Sequence, residues 1–156
     1  PDGVVRLEAW VAGLERLTAR LTAVGIRVLV LHDVPSPGFH VPLCLERAAG
    51  RPVTAGAVAC SFGLPGVQSV RQQVLATERA LASGMTGAIH ANLNDALCQG
   101  SQCLVDRDGT VRYSDAEHLT ATFSRELSGR LAATIRQEAE RRQDPRLAGL
   151  FGADAR

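Results

Sequence analysis

Two stretches of this chain share one order, an amphipathic helical segment followed by a short apolar run that ends in turn residues, and that order limits the fold more than any other feature. Val4, Leu7, Val11, Leu14, Leu17 and Leu21 recur three or four positions apart, which predicts a helix over residues 4–24 with Gly25 as its stop. Ile26–His32 then reads as a strand, closed by Asp33-Val-Pro-Ser-Pro-Gly38. Downstream, Val67–Ser83 reads as a second helix with Val70, Val74, Leu75 and Leu81 for its apolar face, and Thr86–Asn92 as a second strand. Helix then apolar strand, stated twice, predicts an α/β layer with a parallel sheet whose functional groups gather at the strands' carboxyl ends.

The rest of the chain is read more locally. Residues 39–66 hold Pro42, Pro52, Pro65 and several glycines, so a long excursion is expected there rather than a regular element. Asp108-Gly109 between Leu104-Val105 and Val111 is a hairpin turn signal. A third helix is expected after His118, running to about Arg142 on Leu127, Leu131 and Ile135 and stopped by Pro145. The sequence shows no internal repeat and no interdomain linker, which divides it into one domain, residues 1–145, and a terminal tail, residues 146–156.

Composition excludes several classes of function. The 156 residues carry 17 Lys and Arg against 16 Asp and Glu, a formal charge of +1, and are 46% hydrophobic. That is too apolar and too little charged for a disordered chain, and long enough to bury about two thirds of the unfolded surface. A nucleic-acid partner is not expected, because phosphate binding calls for a clustered cationic excess. No apolar run approaches the ~18 residues of a membrane span, and the first residues lack a signal-peptide pattern, which reads as a mature or excised piece.

Cys44, Cys60, Cys98 and Cys103 form two local groups with three complete pairings open to them. A Cys98–Cys103 bridge would close a tight loop and a Cys44–Cys60 bridge a longer one, both suited to an oxidising compartment. Buried free thiols are the plainer reading. A zinc site is disfavoured, since tight CxxC spacing is missing and no thiol flanks His90 or His118.

The sharpest chemical constellation is Tyr113-Ser-Asp115-Ala-Glu-His118-Leu-Thr120. In a tight turn or first helical turn a separation of three brings Asp115 and His118 to one side, where the carboxylate can orient an imidazole that exchanges protons. The plainer reading is Ser114 as a helix cap with Glu117 as its reciprocal partner. His90-Ala-Asn92-Leu-Asn94-Asp95 is a second polar cluster: Asn92 or Asn94 could donate to an oxyanion and Asp95 could accept from substrate, or all three could satisfy a turn. His32-Asp33 is similar in kind, and His40 has no local argument beyond a loop position. A phosphate loop, a dinucleotide fingerprint, H-E-x-x-H and G-x-S-x-G are all absent from the sequence. Asp115 and His118 therefore lack an obvious nucleophile.

The chain resembles the SGNH-type domain found behind the membrane part of bacterial acyltransferase-3 proteins. The resemblance is carried by Gly25-Ile-Arg-Val-Leu-Val-Leu-His-Asp-Val-Pro35 with Pro42-Leu-Cys44-Leu45, by Cys98 to Cys103, and most of all by Tyr113-Ser-Asp-Ala-Glu-His-Leu-Thr120, together about residues 8–135. It implies a three-layer α/β/α flavodoxin-like SGNH-hydrolase fold, pairs Cys44–Cys60 and Cys98–Cys103, and a Ser-His-Asp triad in which Asp115 orients His118. It further implies acyl transfer or acyl-ester hydrolysis on envelope glycans or glycolipids, with no metal or organic cofactor. The site would face the extracytoplasmic side of the bacterial cell membrane, beside an N-terminal transmembrane acyltransferase-3 domain of the same parent protein.

One departure matters. The Gly-Asp-Ser block that such domains carry after their first strand has no counterpart here, and Asn92 and Asn94 do not reproduce the family's oxyanion block. The expectation is a domain lacking its first strand and nucleophile block, inactive as an isolated chain. The other expectation is a degenerate relative that serves as an envelope glycan-binding or scaffold domain.

Overall fold

The computed structural model describes residues 2–49, 60–64 and 69–144, with the side chains of the first helix described from Leu7 onward. They fall into two units by backbone contact, one of residues 2–32, 69–91 and 133–144 and the other of 33–49, 60–64 and 92–132.

In the first unit, helix α1 (Asp2–Ala23) leads into strand β1 (Val28–Leu31). The helix stops where expected. Gly25 takes a left-handed φ of 83°, its N–H donates to the Thr22 carbonyl and that of Ile26 to the Leu21 carbonyl. This paired termination costs little only when the left-handed residue lacks a Cβ. The burial phase of α1 differs from the expected stripe: Leu17 is 56% exposed, while Thr18 is fully buried. Helix α3 (Val70–Gly84) begins on Ser69, whose Oγ accepts from the Gln72 N–H. Its buried face is Leu75, Glu78, Leu81 and Ala82, whereas Val70 is 59% exposed. Strand β3 (Ala88–Ala91) pairs with β1 in parallel, Val28 beside Ala88 through Leu31 beside Ala91. The parallel sheet expected from the helix–strand order is thus present. Within β1 the faces differ, for Val30 is buried while Leu29 and Leu31 are 38% and 49% exposed. The last part of helix α5 (Ala121–Arg142) completes this unit with buried Ile135 and Ala139. Arg142 donates to the carbonyls of Ala82 and Met85 at the end of α3, and Arg27 pairs with Asp144 at 2.7 Å. α5 ends before Pro145: Gln143 takes a φ of 52°, and Gln143 and Asp144 donate to the Glu140 and Ala139 carbonyls.

In the second unit, the region expected to be irregular contains helix α2 (Val41–Ala48). Pro42 does not prevent it, because a proline in the first turn removes only an N–H that has no intrahelical partner. Strands β2 (Phe62–Gly63), β4 (Cys98–Gln99) and β5 (Gln102–Cys103) form an antiparallel sheet in the order β2-β5-β4. A one-turn helix α4 (Asn94–Leu97) precedes β4. Strands β6 (Asp106–Arg107) and β7 (Thr110–Val111) form the expected hairpin, with Asp108 and Gly109 both at positive φ, 53° and 80°. Both disulfides lie in this unit, Cys44–Cys60 and Cys98–Cys103, and no cysteine is left free. The second joins residues directly opposite in the β4–β5 pair. Around them packs a core of Val41, Leu97, Val105, Tyr113, Phe123 and Leu127. The expected start of α3 at residues 67–68, the stop at Pro145 and the tail 146–156 lie outside the described residues.

Candidate active site

Arg112 and Tyr113 bring the chain from the β6–β7 hairpin into the Asp115–His118 segment. The Arg112 guanidinium is buried, donates to the Leu97 carbonyl at 2.8 Å and the Leu104 carbonyl at 3.3 Å, and lies 5.1 Å over the Phe123 ring. Tyr113 is fully buried. Its ring meets Phe62 edge-on at 5.9 Å, and its hydroxyl donates to the buried Pro35 carbonyl at 2.8 Å.

From that anchor the loop closes on itself. Tyr113 and Leu119 form an antiparallel bridge, and the Ser114 N–H donates to the His118 carbonyl at 2.8 Å. Ser114 therefore caps no helix. Thr120 does so instead, its Oγ1 accepting from the Phe123 N–H at the start of α5. Two contacts hold the loop from outside: the Ser36 hydroxyl donates to the Ala116 carbonyl at 3.0 Å, and the Val41 N–H at the start of α2 donates to the Asp115 carbonyl at 3.3 Å.

Asp115 uses both carboxylate oxygens. Oδ1 accepts from the Glu117 and His118 N–H groups, each at 2.7 Å, while Oδ2 accepts from His118 Nδ1 at 2.7 Å. Bonds to the ionised form favour it. The His118 and Glu117 N–H bonds, joined by the imidazole, hold the Asp115 carboxyl at about 2. The same hydrogen bond and the carboxylate's charge raise His118 above 6.5. With Nδ1 engaged, Nε2 is the nitrogen left for proton exchange, on a side chain 77% exposed. This is the geometry in which a carboxylate orients an imidazole so that its other nitrogen can exchange a proton.

Residues 2–133 match the family model described as SGNH domain (fused to AT3 domains). The chain belongs to that family. The SGNH domain places an oriented imidazole at the block that carried the resemblance, and its disulfides are the two pairs that the resemblance implied. No curated protein and no solved structure matches it. Among its described residues no helix is long and apolar enough to cross a membrane, and two disulfides fit an oxidising compartment.

The remaining candidates of this SGNH domain make other contacts. Asn92 Oδ1 accepts from the Asn94 N–H at 3.0 Å, a turn bond that opens α4. Asn94 is buried with its Oδ1 unpartnered, and Asp95 is exposed. His40 sits at the first end of α2 without a side-chain capping bond. A cleft of about 270 Å³ is lined by Arg107, Arg112, Glu126 and Arg130 among others, and contains neither Asp115 nor His118. His32 and His90 both approach Glu78, a residue the sequence reading passed over. The available signal was a carboxylate three residues after Leu75 and three before Leu81, on the face that a helix buries.

Proposed function

We propose that this SGNH domain supplies the base of an extracytoplasmic acyl-transfer or acyl-ester-hydrolysing site in a membrane acyltransferase that acts on envelope glycans or glycolipids. His118 takes the proton of a serine hydroxyl through Nε2 and returns it to the leaving alcohol, while Asp115 fixes the tautomer and stabilises the imidazolium. The observation that carries this reading is the Asp115 carboxylate, held by two backbone N–H groups and bonded to His118 Nδ1 at 2.7 Å. The family description, a domain fused to AT3 domains, supports a transmembrane acyltransferase-3 domain as partner within the same parent protein. It also supports a three-layer flavodoxin-like arrangement for the assembled domain. Asn92, Asn94 and Asp95, which follow the carboxyl end of β3, are proposed to contact substrate.

The serine is proposed to come from outside the present sequence, which contains no Gly-Asp-Ser block. The 156-residue chain alone is therefore expected to turn over no ester. The test is turnover of p-nitrophenyl acetate or an acetylated glycan by the parent protein and its His118→Ala variant. A loss of at least about 100-fold, the lower range for a positioned acid–base group, is expected; equal specific activities would refute the assignment.

The missing serine block also favours a second reading, a non-catalytic domain that binds envelope glycans or acts as a scaffold. Titrating the chain with a broad panel of envelope glycans tests it, and an absence of saturable binding counts against it.

A further inference from the structure

His32, Glu78 and His90 of the first unit are brought together by parallel register and one helix face. Val30 lies beside His90 in the β1–β3 pair, and His32 is two residues beyond Val30, so both imidazoles fall on one side of the sheet. Glu78 reaches that side from the buried face of α3. All three side chains are enclosed, with exposures of 2% for His32 and 9% each for Glu78 and His90. Their potential ligand atoms lie within 4.8 Å of one another.

The hydrogen bonding leaves this cluster incomplete. His32 Nδ1 and Glu78 Oε2 are 2.6 Å apart, a bonded pair, but His90 Nε2 stands 3.5 Å from the same oxygen and makes no hydrogen bond. The Nε2 atom of His32 is also buried without a partner. Buried polar atoms are nearly always satisfied, and a set that is not points to a missing group. Two imidazoles and a carboxylate form a ligand set for zinc and related divalent transition metals. The His90–Glu78 separation of 3.5 Å is already close to the edge of a tetrahedron with metal–ligand bonds of about 2.0–2.1 Å, which is roughly 3.3 Å.

We propose that His32, Glu78 and His90 bind one divalent transition-metal ion of the zinc class, tying β1, β3 and α3 together. Binding exchanges the His32–Glu78 hydrogen bond for coordination, and a neutral His32 keeps its one ring proton on the nitrogen that does not bind. The site uses none of the residues of the Asp115–His118 pair, and its test does not depend on acyl chemistry.

The test is titration of the oxidised, chelator-stripped 156-residue chain with Zn²⁺ against a chromophoric chelator, and with Co²⁺ followed by visible absorption. One equivalent is expected, with a low-coordinate Co²⁺ spectrum that lacks a thiolate charge-transfer band. Glu78→Gln and His90→Asn are each expected to weaken Zn²⁺ at least about tenfold, the minimum seen even for loss of an outer-shell partner, while His40→Gln binds as before. Imidazole NMR of the unmutated chain decides the matter should a variant fail to fold: the His32 and His90 resonances shift on adding Zn²⁺, and those of His40 and His118 do not. Absence of stoichiometric binding, binding undiminished in Glu78→Gln and His90→Asn, or shifts confined to His40 and His118 would each overturn the proposal.

Discussion

Replacing Tyr113 with phenylalanine removes one oxygen from the fully buried residue that introduces the Asp115–His118 loop. The ring remains, and with it the edge-on contact to Phe62 at 5.9 Å, so the apolar contribution is nearly unchanged. What is lost is the 2.8 Å bond to the Pro35 carbonyl, which is itself fully buried. Loss of a hydrogen bond that leaves its partner stranded from water costs about 1–3 kcal/mol, more than the ~1 kcal/mol net value of an average bond. Tyr113→Ala would cost about 3–5 kcal/mol but would confound the bond with a cavity. For Tyr113→Phe, a loss of ~2 kcal/mol corresponds to a fall of roughly 1 M in the urea midpoint, given slopes of about 1–3 kcal/mol per M. The assay is urea unfolding of the oxidised chain by circular dichroism, paired with an NMR titration of His118. A lower midpoint at unchanged slope is expected, together with a His118 pKa that moves back toward its ordinary value as the loop loosens. A loss below about 0.5 kcal/mol, the range of an ordinary surface substitution, with an unchanged His118 titration, would refute the claim that this hydroxyl holds the site.

The other expectations concern charge, crosslinks and a helix end. Asp115→Asn keeps an oxygen for the two N–H groups but removes the charge, so His118 is expected to titrate nearer its ordinary 6.5, read by NMR; an unmoved titration counts against the pair. The sign follows from the shifts: because His118 is raised, the pair stabilises fully below 6.5 and loses that contribution as pH rises through the folded value. Because Asp115 is lowered to about 2 from 3.8, its contribution is present above 3.8 and is lost as pH falls toward 2. In the parent protein the acyl chemistry proposed above requires neutral His118, so the acidic limb of its activity profile is expected to shift to lower pH in Asp115→Asn. The Cys44–Cys60 and Cys98–Cys103 bridges close separations of 16 and 5 residues, so paired alanine variants are expected to lose about 3 and about 2 kcal/mol respectively by chain entropy; a reversed order in urea unfolding would contradict that account. Gln143→Gly relieves a left-handed non-glycine residue at the end of α5 and is expected to raise stability by about 1 kcal/mol, with a lower or unchanged urea midpoint as the contrary result.

What could be read in the sequence was what covalent spacing alone decides. The helix-then-strand order placed β1 and β3, Gly25 marked the end of α1, and Asp108-Gly109 marked the β6–β7 turn, because each depends on backbone preferences within a few residues. Asp115 and His118 were legible for the same reason: three residues of separation suffice for one carboxylate to take two N–H groups and an imidazole. The family resemblance added the cysteine pairing, which spacing had left open among three choices. Tertiary structure decided everything that depends on register and on which face is covered. Thr18 rather than Leu17 is buried on α1, and a proline-bearing excursion holds the helix α2. The Tyr113 hydroxyl finds a carbonyl 78 residues away. Glu78 meets His32 across 46 residues and approaches His90 only because β1 and β3 run parallel with Val30 beside His90. Periodicity marks which residues can share a face; the partner across that face is chosen by strand register and helix packing, to which many distant residues contribute at once.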